Sequence, residues 1–172
     1  MSPSTILQLG HPCLRQVAAP VDHVEAPQIQ RLIDDLLTTT TATHGVGIAA
    51  PQVGESCQVV IIASHPNPRY PEAPAMKPMA LINPQIVAHS DEVVSGWEGC
   101  LSVPGRRGVV WRYRQVEVAY LDRWGREQQR EFSDFVARIV QHEVDHLQGK
   151  VFLDRVKQPQ DVLDEQTYWQ RR

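Results

Sequence analysis

His142-Glu-Val-Asp-His146 stands inside the run Ser133-Asp-Phe-Val-Ala-Arg-Ile-Val-Gln-His-Glu-Val-Asp-His-Leu-Gln-Gly149. Phe135, Val136, Ile139, Val140, Val144 and Leu147 recur there at helical spacing. Ser133 suits an N-cap, Asp134 favours the first turn, and Gly149 ends the run. The apolar positions cover more than half the circumference, which predicts a core helix. His142 and His146, at i and i+4, project from successive turns of one face, so both imidazoles reach one metal ion. Glu143 looks into the same site at an angle and is placed to take a proton from water activated there. Two His, a Glu and an Asp are costly to bury in such a helix without a compensating partner. A metal ion is such a partner.

Two further segments read clearly. Ile29, Leu32, Ile33, Leu36 and Leu37 form one stripe, predicting a helix over Gln28–His44 with Pro27 in its first turn and Gly45 as its stop. Cys57–Ala63 is a Val/Ile-rich run typical of a buried strand. Met79–Ile82 and Gln85–Ala88 read as two strands broken at Asn83-Pro84. Val116, Val118 and Tyr120 alternate with Glu117 and Ala119, and Arg126–Phe132 returns beyond the Asp122–Gly125 turn. Five prolines between Ser64 and Pro78 predict an extended surface loop. The tail from Gln158 reads as a short helix.

The chain has 172 residues, 17 Lys+Arg against 20 Asp+Glu, and a net charge of −3. That balance argues against nucleic-acid binding by broad phosphate neutralisation. The basic pairs Arg106-Arg107 and Arg171-Arg172 read as solvated surface, the limited patches from which any ribosome contact would come. The length suits one catalytic domain over 1–172, with 157–172 as a peripheral tail. No apolar run approaches the ~18 residues of a membrane span. Met1–Gly10 lacks the basic start and apolar stretch of a signal peptide. Three cysteines, Cys13, Cys57 and Cys100, are too few and odd for a disulfide framework, and Cys13 and Cys57 read as small hydrophobes. The expectation is a cytoplasmic enzyme, although a mature organellar form would read the same.

A catalytic metal site usually takes a third protein ligand. Glu165, 19 residues beyond His146, suits a zinc peptidase; Cys100, in Trp97-Glu-Gly-Cys-Leu-Ser-Val-Pro-Gly105, offers a thiolate in a Gly-flanked turn. Periodicity does not choose between them. Gly45-Val-Gly-Ile-Ala-Ala-Pro-Gln52 lacks a Gly-Lys-Ser/Thr ending and follows no strand, which excludes a phosphate loop. Its small residues expose backbone on which another extended chain can pair, with the Gln52 amide nearby.

Taken together, these stretches resemble peptide deformylases. Gly45–Gln52, Glu98–Ser102 and His142–His146 match that family's three signatures in its order. Ile6–Arg15 and Gln141–Gly149 are similar too, so the resemblance runs from about Ile6 to Arg155. The proline-rich loop and the tail follow no such pattern. The resemblance implies an α+β fold with antiparallel β-sheets wrapped around a central metal-binding helix. It implies Cys100, His142 and His146 as ligands of one Fe²⁺, with Zn²⁺, Ni²⁺ or Co²⁺ as substitutes. It further implies removal of the N-formyl group from the initiator methionine of nascent peptides, with Glu143 moving the proton. The Gln52 amide and the Leu101 N–H would hold the oxyanion. The peptide would pair with backbone at Val46, Gly47 and Gly99, while Phe135 and Ile139 would wall the methionine pocket. Arg112 and Arg138 would pair with Glu98, and Asp145 would support a ligating histidine. The remaining alternatives are an HExxH peptidase using Glu165 and a non-catalytic binder of formylated peptides.

Overall fold

A computed structural model describes residues 3–171. Met1 and Ser2 of the signal-peptide reading, and Arg172 of the C-terminal basic pair, lie outside them. The chain runs through α1 (Pro27–Ala42), β1 (Gly47–Ala49), β2 (Val59–Ile62), β3 (Met79–His89), β4 (Val93–Cys100) and β5 (Val103–Tyr113). It continues through β6 (Gln115–Leu121), β7 (Glu127–Ser133), α2 (Asp134–Leu147), β8 (Val162–Asp164) and α3 (Glu165–Gln170). One sheet has the order β1-β2-β3-β6-β7 and the other β4-β5-β8, with antiparallel pairing throughout.

The alternation of β2 explains why its run is apolar without a break. Val60 and Ile62 join Ala137, Ile139, Val140, Val144 and Leu147 of α2 in one cluster. Val59 and Ile61 join Ile33 and Leu36 of α1 in another. Successive residues of a strand point to opposite faces, so a sheet covered by a helix on each side needs apolar residues at every position. The opposite side of α2 is polar and faces the smaller sheet. There Arg138 donates to the carbonyls of Val94 and Val110, and Gln141 exchanges hydrogen bonds with the backbone of Tyr113. The architecture is therefore α+β, with antiparallel sheets around a central helix.

Several boundaries differ from the sequence expectation. Asn83-Pro84 interrupts nothing: β3 runs through it with a register shift between Ile82 and Gln85. Asn83 adopts φ +51°, and its side-chain amide exchanges hydrogen bonds with the Val21 backbone at 2.8 and 2.9 Å. A proline at a bulge costs the ladder little, because the bulged residue is unpaired anyway. α1 stops at Ala42, and it is His44 rather than Gly45 that takes the left-handed conformation. Ser133 occupies the N-cap position of α2 without a side-chain capping bond. The tail supplies β8 as well as the short α3, and β8 pairs with β5 at Arg106↔Asp164 and Arg107↔Leu163. No helix among the described residues is long and apolar enough to cross a membrane.

Candidate active site

α2 carries His142 to a cleft, with His146 one turn on, and the end of β4 brings Cys100 to meet them. Their ligand atoms all lie within 4.8 Å of one another. Cys100 Sγ is 3.3 Å from His146 Nε2. The Nδ1 of His142 lies 2.9 Å from Glu98 Oε2. A carboxylate only accepts, so Nδ1 carries the proton and Nε2 keeps its lone pair for a metal. Burial opposes charge on Cys100, yet His146 and His142 beside it hold its thiol well below the usual value. The buried Cys100 sulfur and the two imidazoles form a donor set that fits one divalent cation, and beside them Glu143 Oε2 is buried with no hydrogen-bond partner among the described residues.

Glu98 is braced from three sides. Arg112 donates to it through Nε at 2.9 Å and Nη2 at 3.0 Å, and Arg138 donates through Nη1 at 2.9 Å. Burial raises its carboxyl, but His142 and Arg112 outweigh that and hold it far below the carboxylate range. Asp145 supports no histidine directly. It accepts from Arg112 at 2.6 Å and from Arg155 at 2.6 and 3.1 Å, and so acts on His142 through Arg112 and Glu98.

Gln52 is oriented by its own turn. Its Oε1 accepts from the Ala49 N–H at 2.9 Å, which directs the amide NH₂ to Ser102 Oγ at 3.1 Å and Cys100 Sγ at 3.5 Å. Burial pushes the Glu143 carboxyl up to about 7, against the pull of His142 and His146. Gly47 is small for a packing reason: a Cβ there would meet Glu143 Oε1 at 2.6 Å and Ile139 at 2.8 Å. Val46, Gly47, Gln52, Gly99, Leu101, Phe135 and Ile139 line the cleft together with Cys100, His142 and Glu143. Glu165 is not among the donors; its carboxylate meets Arg107 at 2.9 Å.

The sequence model of polypeptide deformylases matches residues 3–162. The chain belongs to that family. It is 56% identical over 163 residues to peptide deformylase 2 of Nostoc sp., an alignment covering 95% of this chain and 91% of that protein. It is 48% identical over 152 residues to peptide deformylase 1 of Bordetella pertussis, covering 88% and 86%. Among solved structures, a Met-Ala-Ser-bound class I type b peptide deformylase from Acinetobacter baumannii superimposes with a TM-score of 0.87 at 45% identity. That match covers 90% of this chain and 99% of the other. An actinonin complex of a peptide deformylase from Synechococcus elongatus gives 0.82 at 36%, covering 94% and 82%. As a deformylase the chain is a metal-dependent hydrolase of protein biosynthesis that takes the formyl group from new polypeptides.

The deformylase cleft also holds residues that the sequence reading passed over. Arg69 and Tyr70, in the proline-rich loop, line it. Trp97, the large side chain just ahead of the cysteine motif, is not one of those passed over: it lines the cleft and packs edge-on against Tyr168 at 5.3 Å. Arg107 is not solvated surface but fully buried. An arginine-tyrosine pair set between Pro68 and Pro71 was the available signal, because prolines stiffen a loop enough to present a ring.

Proposed function

We propose that Cys100, His142 and His146 hold one Fe²⁺, replaceable by Zn²⁺, Ni²⁺ or Co²⁺, and that the site deformylates N-formylmethionyl peptides as they leave the ribosome in the cytoplasm. The observation that carries this is the convergence of three soft and borderline donors within 4.8 Å, beside a buried carboxylate and a fixed amide. When bound, the ion supplies Lewis acidity toward the formyl oxygen and the attacking water. Glu143 takes the proton of that water and returns it to the departing amine, and its value near 7 suits both transfers. As the C–N bond breaks, the water oxygen stays on the carbonyl carbon and formate leaves. The Gln52 NH₂ and the Leu101 N–H donate to the oxygen on which negative charge develops.

The peptide backbone adds as a strand at Val46, Gly47 and Gly99. β1 and β4 each end their sheet, so each offers one edge for that pairing. Phe135 and Ile139 wall the methionine side chain. The test is formate release from formyl-Met-Ala-Ser by protein purified without oxygen, with metal measured on the same sample. Turnover is expected with about one metal per chain, lost together with the metal in Cys100→Ser and lost with metal retained in Glu143→Ala. Full occupancy without formate overturns the reading and leaves a peptide binder.

A further inference from the structure

The C-terminal segment reaches the cleft through one buried charge. Arg107 has 0% of its side chain exposed, and the carboxylate it meets is Glu165 at the start of α3. Arg107 Nε and Nη2 both donate to Glu165 Oε1, at 3.2 and 2.9 Å. Its Nη1 has no hydrogen-bond partner among the described residues. The guanidinium lies 5.1 Å from the Tyr70 ring, 5.2 Å from Tyr168 and 5.8 Å from Trp169, all within cation–π range. Two segments besides its own strand therefore close on this side chain: the proline-rich loop and the tail of β8 with α3.

The same guanidinium rests on the cleft wall. A Cβ on Gly99 would meet Arg107 Nε at 2.9 Å and Cδ at 3.0 Å, so glycine here makes room for the arginine. Tyr70 donates its hydroxyl to the Gly99 carbonyl at 3.4 Å and packs on Phe135 with ring centroids 5.3 Å apart. Gly99, Tyr70 and Phe135 all line the cleft. An edge strand accepts an added chain only while its N–H and C=O groups keep their direction. Holding them beforehand removes part of the ordering cost of binding.

We propose that Glu165 and Arg107 are positioning residues for peptide binding: the C-terminal segment clamps Arg107 against Gly99 and Tyr70 and so keeps the end of β4 ready to pair with a peptide. The proposal rests on reading that edge as the peptide site. Losing the clamp weakens ground state and transition state alike, so KM moves and kcat does not. Glu165→Gln is the discriminating variant, since its side chain is 37% exposed and the substitution keeps its shape.

In Glu165→Gln, KM for formyl-Met-Ala-Ser and Kd for Met-Ala-Ser both rise about tenfold, with kcat within about twofold and metal content unchanged. Tyr70→Phe removes only the hydroxyl on Gly99; it moves KM the same way by less, and the double variant falls short of the product of the two. Unchanged KM and Kd with a lowered Tm would make the pair a simple brace and overturn the proposal. A joint fall of kcat and metal content would also overturn it, because the effect would then run through Cys100. A wild-type chain that binds Met-Ala-Ser but releases no formate breaks the deformylase reading instead, and the Kd comparison still judges the clamp.

Discussion

Arg107 and Arg112 leave the same strand five residues apart, an odd spacing that sends them to opposite faces of it. Both are buried, yet they are held in different ways. Arg112 uses Nε, Nη1 and Nη2 on two buried carboxylates, Glu98 and Asp145, and so locks β4 to α2 and orients His142. Arg107 bonds one oxygen of one carboxylate that is itself 37% exposed, and aromatic rings surround the rest. The inner arginine frames the candidate metal site, and its partners come from the motif stretches. The outer one depends on a tail that matches no motif. A guanidinium shared by two buried carboxylates is fixed, whereas one paired with a single partly exposed carboxylate keeps some freedom to adjust.

The largest expected effect tests that contrast directly. Arg112→Met leaves Glu98 and Asp145 buried without their shared cation, and breaking such an arrangement costs about 3–5 kcal/mol. Metal content falls with it. Arg107→Met frees Glu165 to be solvated and loses about 1–2 kcal/mol, with metal content intact. Urea unfolding and metal analysis of the two variants measure both. Equal losses, or metal lost from Arg107→Met, would erase the distinction.

Gln52→Ala separates the two faces kinetically. It removes the fixed NH₂ beside Cys100 and leaves the Ala49 N–H without its acceptor. Loss of one oxyanion donor costs about 3 kcal/mol in the barrier, so kcat drops roughly a hundredfold while KM changes little. Glu165→Gln moves the opposite parameter. Steady-state kinetics on formyl-Met-Ala-Ser compares them, and a Gln52→Ala whose loss sits in KM would remove the oxyanion role.

The same asymmetry governs what could be read from the chain. α2, α1, β2 and the β6–β7 pair announce themselves because apolar burial imposes a period of 3.6 or 2 on their residues. The β4–β5 hairpin does not. Gly96, Gly99 and Gly108 interrupt its pattern, and each is there because a side chain lies against its backbone: Arg138, Arg107 and Phe152 respectively. Strand propensity registers such glycines as turns, which is how Cys100 came to be placed in one. His142, Glu143 and His146 are legible because chemistry fixes their types and spacing, whereas Cys100 is reached only through the family resemblance, spacing alone leaving Glu165 open beside it. Arg107 is not legible, because its burial depends on Tyr70 and Glu165, both far from it in sequence and outside every motif.

Glu98→Gln sharpens the inner half of the comparison. The amide keeps the shape but gives His142 Nδ1 and two guanidiniums a weaker acceptor, so metal affinity falls about ten- to a hundredfold in a chelator competition. The acid limb changes as well. The folded Glu98 carboxyl lies below its ordinary 4.5, so it contributes stability that is present above that pH and lost as pH falls toward the folded value. Glu98→Gln therefore flattens the decline of Tm below about pH 4.5. A decline as steep as in the wild type would show that other carboxyls set the acid limb.

Arg155→Ala carries the smallest expected effect and isolates redundancy as the cause. Arg155 is the solvent end of the inner network, 42% exposed, much as Glu165 is the solvent end of the outer pair. Exposure alone would therefore rank the two alike. They differ in what remains after removal: Asp145 keeps its 2.6 Å bond to Arg112, whereas Arg107 keeps no carboxylate. Arg155→Ala should thus cost less than about 1 kcal/mol, a loss that added salt diminishes further, with KM and metal content unmoved. If instead it matched Glu165→Gln in KM, peptide affinity would answer to any loosening of the smaller sheet, and the single-carboxylate hold on Arg107 would explain nothing special.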